Sequence, residues 1–360
     1  MELRQLVKEV PYLLETRGDM SVEIAALCSN SREKTENGIF FCFAGAHFDA
    51  HQYAPQAVQN GCVALVVERF LDDVNVPQVL VSNGRAAMAR ICEAFFNHPE
   101  RKMRFVGITG TKGKTTTSYM VKSICEQAGF KCGLVGTTGN MIGEKHIPSS
   151  KTTPDPIDLM RDLNEMVQAG VQVVVMEVSA HALALKKTEG IRFAVSAFTN
   201  LTQDHLDFFG SMEKYAAAKK SLFDPARSAA AAINVDDETG IEIARSAMIP
   251  VVTYGCENPS DVFGIDYRAS EKGCRFVANV MDDIMVLDYC APGRFNMSNV
   301  LCAAAVAKVL GTETDVIARG VKNVRRVSGR FEVIKGKGKR VVIDYAHTPD
   351  GLEKLLADSF

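Results

Sequence analysis

No apolar run in this 360-residue sequence approaches the roughly 20 residues that a helix needs to cross a bilayer, so no membrane partner is expected. The opening residues, Met1-Glu2-Leu3-Arg4-Gln5, lack the basic-then-apolar order of a secretory signal. Basic charge is not in excess either. The formal net charge of -2 argues against a nucleic-acid partner, which would need a basic surface. Internal repeats and low-complexity segments are absent. The ten cysteines include no pair with the C-x-x-C spacing of a zinc or redox site. Several lie in apolar runs such as Gly61-Cys62-Val63-Ala64-Leu65-Val66-Val67, where free cysteine packs as a small hydrophobe. Reduced core thiols in a cytoplasmic protein are the expectation.

What is present is a globular composition, 47% hydrophobic and 23% charged, over a length that implies two or three domains. From about residue 103 the pattern is strand, loop and helix, repeated. Arg104–Thr109 is apolar and ends in a glycine-rich turn. Beyond it Met120, Val121, Ile124, Cys125 and Ala128 recur at helical spacing, and Gly129 supplies a left-handed stop. Lys131–Gly136, Val171–Val178 and Phe193–Thr199 read as further buried strands, with a helix over Ile157–Ala169. This alternation indicates an α/β fold with a parallel sheet covered on both faces.

Residues 1–98 form a separate α/β unit, with strand-like Gly38–Ala44 and Val63–Val67 joined by a helical Ala54–Asn60. Asn97-His98-Pro99-Glu100 marks the boundary to a central domain of residues 99–328, in which residues 261–290 read as a β excursion. Helical spacing returns at Asn296–Leu310 and Glu313–Asn323. Residues 329–360 offer one strand, Lys339–Tyr345, and one helix, Gly351–Ala357. Two elements cannot bury a core, so they are expected to begin an incomplete Rossmann-like domain.

The chemistry gathers at strand ends. Gly110-Thr111-Lys112-Gly113-Lys114-Thr115-Thr116 follows a strand and opens a helix, the setting that a phosphate-binding loop needs. Backbone N–H groups of the turn and helix N-terminus attract phosphate oxygens. Lys114 would neutralise β/γ-phosphate charge, and the Thr115 hydroxyl would ligate Mg²⁺. Glu177 ends a strand where open α/β sheets bind ligands, and its carboxylate suits a hard cation. His205 follows the next strand, in Thr199–Asp207. Three parallel strand ends would bring these groups to one sheet edge. Composition alone gives plainer roles elsewhere: Lys219 as a solvated helix lysine, Asn296 as an N-cap, and Arg330 as a surface charge.

Eight segments then form an ordered set: Thr109–Thr117, Thr152–Asp155, Met176–Leu183, Phe198–Asp207, Tyr215–Phe223, Gly293–Asn299, Ser328–Arg330 and Asp344–Asp350. Their order resembles that of the Mur ligases, most closely the MurE type. The resemblance implies that ATP phosphorylates the terminal carboxylate of UDP-N-acetylmuramoyl-L-alanyl-D-glutamate. The amine of diaminopimelate or lysine then attacks the acyl phosphate, in peptidoglycan synthesis. It implies nucleotide contacts for Gly110, Thr111, Gly113, Lys114, Thr115, Thr116, Asn296, Arg330 and Asp344, with His347 in the same segment as Asp344. Mg²⁺ falls to Thr115, Glu177 and His205, and to Lys219, which matches a lysine that the family carbamylates into a metal-binding carboxylate. Lys114, Glu177, His205 and Lys219 form the implied catalytic set.

Ser31 resembles a uridine contact, while Thr152, Thr153 and Ser179 resemble contacts to the sugar-peptide side. Lys187 stands where some members carry a substrate-binding arginine, keeping the charge without the bidentate fork. Lys112 replaces the usual asparagine, Asn30 an aspartate and Ala180 a serine. A monomer is expected. The motif that selects the added amino acid is expected outside these residues, so ligation by them alone is expected to be weak. Two other readings remain: a non-catalytic nucleotide- or UDP-sugar-binding protein, and a folylpolyglutamate synthetase-like ligase. The domain carrying Ser31-Arg32 counts against the second.

Overall fold

The computed structural model describes residues 1–360 except 46–47, 271–272, 325–326, 337–338 and 358–360. The chain divides into two compact units. The first holds Met1–Lys102, Pro154–Glu165 and Ala184–Gly190; the second holds Met103–Thr153, Met166–Leu183 and Ile191–Phe360.

The first unit contains strands β1 (Leu13–Arg17), β2 (Ala26–Cys28), β3 (Gly38–Phe41), β4 (Cys62–Val67) and β5 (Gln78–Val81). Its helices are α1 (Leu3–Val7), α2 (Ala54–Gln59) and α3 (Gly84–Phe95). The sheet order is β1-β5-β4-β3-β2, parallel except for β1. The apolar runs expected as strands become β3 and β4, and every residue of β3 is buried. Asn83 caps α3 by accepting a hydrogen bond from the Ala86 N–H. Beyond the helix, Asn97 and His98 both take left-handed backbone conformations.

The second unit carries β6 (Arg104–Thr109), β7 (Cys132–Val135), β8 (Asn140–Ile142), β9 (Lys145–Ile147), β10 (Val173–Glu177) and β11 (Phe193–Phe198). These are followed by β12 (Ala231–Asn234), β13 (Val251–Gly255), β14 (Val262–Ser270), β15 (Gly273–Val280) and β16 (Asp283–Tyr289). Together they form one sheet in the order β16-β15-β14-β13-β12-β11-β6-β10-β7-β8-β9. The stretch from β13 to β7 is parallel throughout. β6 is central, buried from Phe105 to Thr109, as its uninterrupted apolar run requires of a strand covered on both faces.

The helices α4 (Lys114–Gln127) and, late in the chain, Arg294–Val309 share one core with the sheet. Val106 and Ile108, Met120 and Ile124, and the fully buried run Val300–Ala307 meet there. The expected β excursion appears as the antiparallel β14–β16, added to the parallel edge through two residue pairs with β13. The end of the chain differs from expectation. Glu332–Gly336 (β17) and Lys339–Ile343 (β18) form an antiparallel pair, followed by a helix over Pro349–Ala357. The first of these strands, Glu-Val-Ile-Lys-Gly, is short and has only two apolar residues between its charges, so no apolar run announces it.

Among the described residues no helix is long and apolar enough to cross a membrane. Eight of the ten cysteines are buried.

Candidate active site

Because β7, β10, β6 and β11 are adjacent and parallel, the loops leaving their C-terminal ends meet at one sheet edge. The loop after β6 wraps residues 110–113 around the start of α4. Gly110 (φ 145°) and Gly113 (φ 85°) take backbone angles that side chains rarely tolerate. A Cβ on Gly113 would lie 2.3 Å from Asn299 Oδ1, and one on Gly110 would lie 1.9 Å from Thr199 Oγ1. The loop is held from below: Asn200 Oδ1 accepts from the Lys112 N–H at 2.9 Å, and Thr199 donates to the Lys112 carbonyl at 2.6 Å.

Lys114 folds back over this loop and donates to the carbonyls of Gly110 and Thr111, both at 2.9 Å. Burial lowers its pKa to about 8; Glu177 opposes the shift, while Arg330 and Lys112 add to it. Thr115 donates to Glu177 Oε2 at 3.0 Å and accepts from Arg330 Nη2 at 3.1 Å. Glu177 is fully buried. Its carboxylate also takes the Thr137 N–H and the Thr137 hydroxyl, each at 2.9 Å. Thr137 in turn meets Thr152 Oγ1 at 3.0 Å. Thr153 donates to the Glu177 carbonyl at 2.8 Å and accepts from the Ser179 N–H at 3.1 Å. Ser179 caps the following helical turn by accepting from the Ala182 N–H.

Lys219 reverses its compositional reading. It lies in the helix Met212–Lys220, and its neighbour Lys220 is partly exposed and paired with Glu242. Lys219 itself is buried; its Nζ donates to the Gly110 carbonyl at 2.8 Å and sits 4.4 Å above the Tyr215 ring. Two lysines thus share one carbonyl. Burial, and then the nearby Lys114 charge, push the Lys219 pKa well down. The Tyr215 hydroxyl meets Thr111 Oγ1 at 3.2 Å.

His205 follows Asp204, which accepts its N–H at 2.9 Å, and its ring packs edge-on against His181 with centroids 4.7 Å apart. Burial lowers its pKa, with Asp204 opposing, so its imidazole leans toward the neutral form. Asp204 also lies 3.8 Å from Lys112 Nζ and 3.8 Å from His347 Nε2. Arg330 stacks over Tyr345 at 4.9 Å, while Asp344 accepts the N–H groups of Phe331 and Ala346.

Asn296 is not an N-cap. Gly293 takes that position, and Asn296, buried inside the helix, donates to the Pro292 carbonyl at 2.6 Å. Ser31 and Lys187 belong to the first unit: Ser31 donates to Gln56 Oε1 at 2.8 Å, and Lys187 pairs with Asp155 at 2.8 Å.

Thr137 lies outside the eight sequence segments, whereas Asn200, Tyr215 and Asn299 lie inside them without a role of their own being expected. For Thr137 the available signal is the Gly136-Thr137-Thr138-Gly139 cluster after β7, a glycine-rich turn at a strand end.

Residues 108–307 match the family description "Mur ligase middle domain". The UDP-N-acetylmuramoyl-L-alanyl-D-glutamate--2,6-diaminopimelate ligase of Geobacillus thermodenitrificans is 39% identical over 99% of this chain and 74% of its own. A solved structure of an enzyme of that name superposes with a TM-score of 0.84 at 24% identity, over 99% of this chain and 74% of the other, and carries the fold. A Mycobacterium tuberculosis folylpolyglutamate synthase superposes with a TM-score of 0.66 at 18% identity, over 76% of this chain and 70% of the other. The chain belongs to the Mur ligase family of ATP-dependent ligases.

Proposed function

We propose that this protein is a MurE-type ligase joining diaminopimelate to UDP-N-acetylmuramoyl-L-alanyl-D-glutamate through an acyl phosphate. The observation that carries the reading is the convergence of Lys114, Thr115, Glu177 and Lys219 on the loop at one sheet edge. Lys114 and the loop N–H groups hold the β/γ-phosphates, Arg330 adds positive charge beside Thr115 at the same end, and Asp344 serves the ribose.

The donor set fits Mg²⁺. Thr115 Oγ1 and Glu177 Oε2 stand 3.0 Å apart, the separation of neighbouring ligands in an octahedron with metal–oxygen bonds of about 2.1 Å. Bound there, the ion would screen phosphate from carboxylate. Lys219 as an amine is no ligand for a hard cation. Burial lowers its pKa and so favours the neutral amine, which adds CO₂ and releases a proton to give a carbamate, an anion that could bind metal with His205. Thr152, Thr153 and Ser179 border Glu177 and would orient the reacting carboxylate against the γ-phosphate.

In this reading residues 1–98 bind the uridine-sugar through Ser31, residues 99–328 bind ATP, and residues 329–360 belong to a domain for the amino acid. Lys187 serves the substrate as a point charge. The protein acts as a cytoplasmic monomer. A folylpolyglutamate synthetase reading leaves about a quarter of this chain without a counterpart in the superposed structure, which matches 76% of it.

The test is ADP release with each acceptor acid in turn, with the product identified by mass spectrometry. ADP should form with UDP-N-acetylmuramoyl-L-alanyl-D-glutamate and not with a folate, and any tripeptide should contain diaminopimelate. Equal turnover with a folate, or preferential incorporation of lysine, would overturn the reading.

A further inference from the structure

The first unit holds a second group of metal-capable side chains that the ligase reaction does not use. Glu93 lies in the last turn of α3, and the His98 N–H folds back to donate to the Glu93 carbonyl at 2.8 Å. That hydrogen bond brings the His98 ring beside Glu100, with Nδ1 3.0 Å from Glu100 Oε1. One donor atom each from Glu93, His98 and Glu100 lies within 4.8 Å of the others.

Three of the four oxygens of these two carboxylates receive no hydrogen bond from the described residues. The Glu93 side chain is 0% exposed and that of Glu100 2%. Glu93 Oε1, Glu93 Oε2 and Glu100 Oε2 have no hydrogen-bond partner among the described residues. Arg90 Nη1 stands 2.6 Å from Glu93 Oε2 as an ion pair, without the alignment of a hydrogen bond. Arg101 is divided between Glu100, at 3.3 Å, and Glu9, at 2.5 Å. Buried carboxylate oxygens without donors are costly unless a cation or proton completes them. The carbonyl end of α3 adds further negative potential.

We infer that Glu93, His98 and Glu100 form a site for a divalent ion of the zinc or manganese class. One imidazole and two carboxylates are a donor set for such ions. Bonds of about 2.0–2.2 Å place neighbouring donors about 3.4 Å apart, so closure on an ion requires shifts of about 1 Å or less. The ion would tie the end of α3 to the turn at 98–100.

Protons compete for the same oxygens. Burial, and then Glu100, raise the Glu93 pKa to about 8, with Arg90 and Arg101 opposing and Glu189 adding to the rise. Metal ligands must be deprotonated, so metal affinity falls as pH drops.

The test is titration of chelator-treated protein with Zn²⁺, without nucleotide, at pH 8.5 and pH 6, followed by calorimetry and thermal unfolding. One equivalent should bind, more weakly at the lower pH, and raise the melting temperature. His98→Ala and Glu100→Gln should each weaken it about tenfold or more, whereas His205→Ala, in the other unit, should keep it. Co²⁺ in place of Zn²⁺ should give weak d–d bands without a sulfur-to-metal band, a readout that does not depend on the variants folding well. No bound equivalent, an equivalent kept by both His98→Ala and Glu100→Gln, or a sulfur-to-metal band would each overturn the inference.

Discussion

At the scale of single residues, burial decides the chemistry. Lys219 and Lys220 are adjacent and identical in type, yet one is sealed against Gly110 and the other salt-bridged near the surface. No composition argument separates them. The separation comes from the helix phase, which turns Tyr215 and Lys219, four residues apart, to the same buried side. The low pKa of Lys219 makes a specific outcome testable. In ¹³C-bicarbonate, the native protein should show a carbamate resonance that Lys219→Ala lacks. The signal should fade as pH falls, because protonation removes the reactive amine. Identical spectra for the two proteins would remove Lys219 from the metal set.

At the scale of elements, the legible features were those with a strong local signature. β6, β7, β10 and β11 lie within a residue or two of the apolar runs that announce them, because a strand buried on both faces must be apolar throughout. The turn at Gly110–Gly113 was legible because its glycines carry a backbone requirement. By contrast, Asn299 approaches Gly113 from a helix 186 positions later in the sequence, and nothing local to Asn299 reports that contact. Likewise Thr137 reaches Glu177 only because β7 pairs with β10. Strand order is a tertiary outcome. It was not readable from the strands themselves.

Gly113 allows the loop argument to be tested. In Gly113→Ala, the left-handed backbone costs about 1–2 kcal/mol, and the new Cβ meets Asn299. ATP affinity should fall about tenfold or more, since about 1.4 kcal/mol is a factor of ten, while far-UV circular dichroism stays unchanged. Gly129→Ala is the control: φ is 91° with nothing within 4 Å of the added Cβ, so it carries similar strain away from the loop. It should lose stability but not affinity. Equal ATP binding by Gly113→Ala and the native protein would contradict the loop's role.

At the scale of the whole molecule, the second unit uses one continuous sheet for two purposes. Its parallel centre directs four loops to one edge, and its antiparallel margin, β14–β16, extends the core against the helix that carries Asn296 and Asn299. The central claim is that this edge activates a carboxylate by phosphorylating it. Trapping tests that step directly and requires no amino acid. With ATP, Mg²⁺, UDP-N-acetylmuramoyl-L-alanyl-D-glutamate and hydroxylamine, the protein should yield the dipeptide hydroxamate and one phosphate per hydroxamate. With the reacting carboxylate ¹⁸O-labelled, one ¹⁸O should appear in the phosphate released. ATP hydrolysis without hydroxamate, or phosphate free of ¹⁸O, would contradict the account.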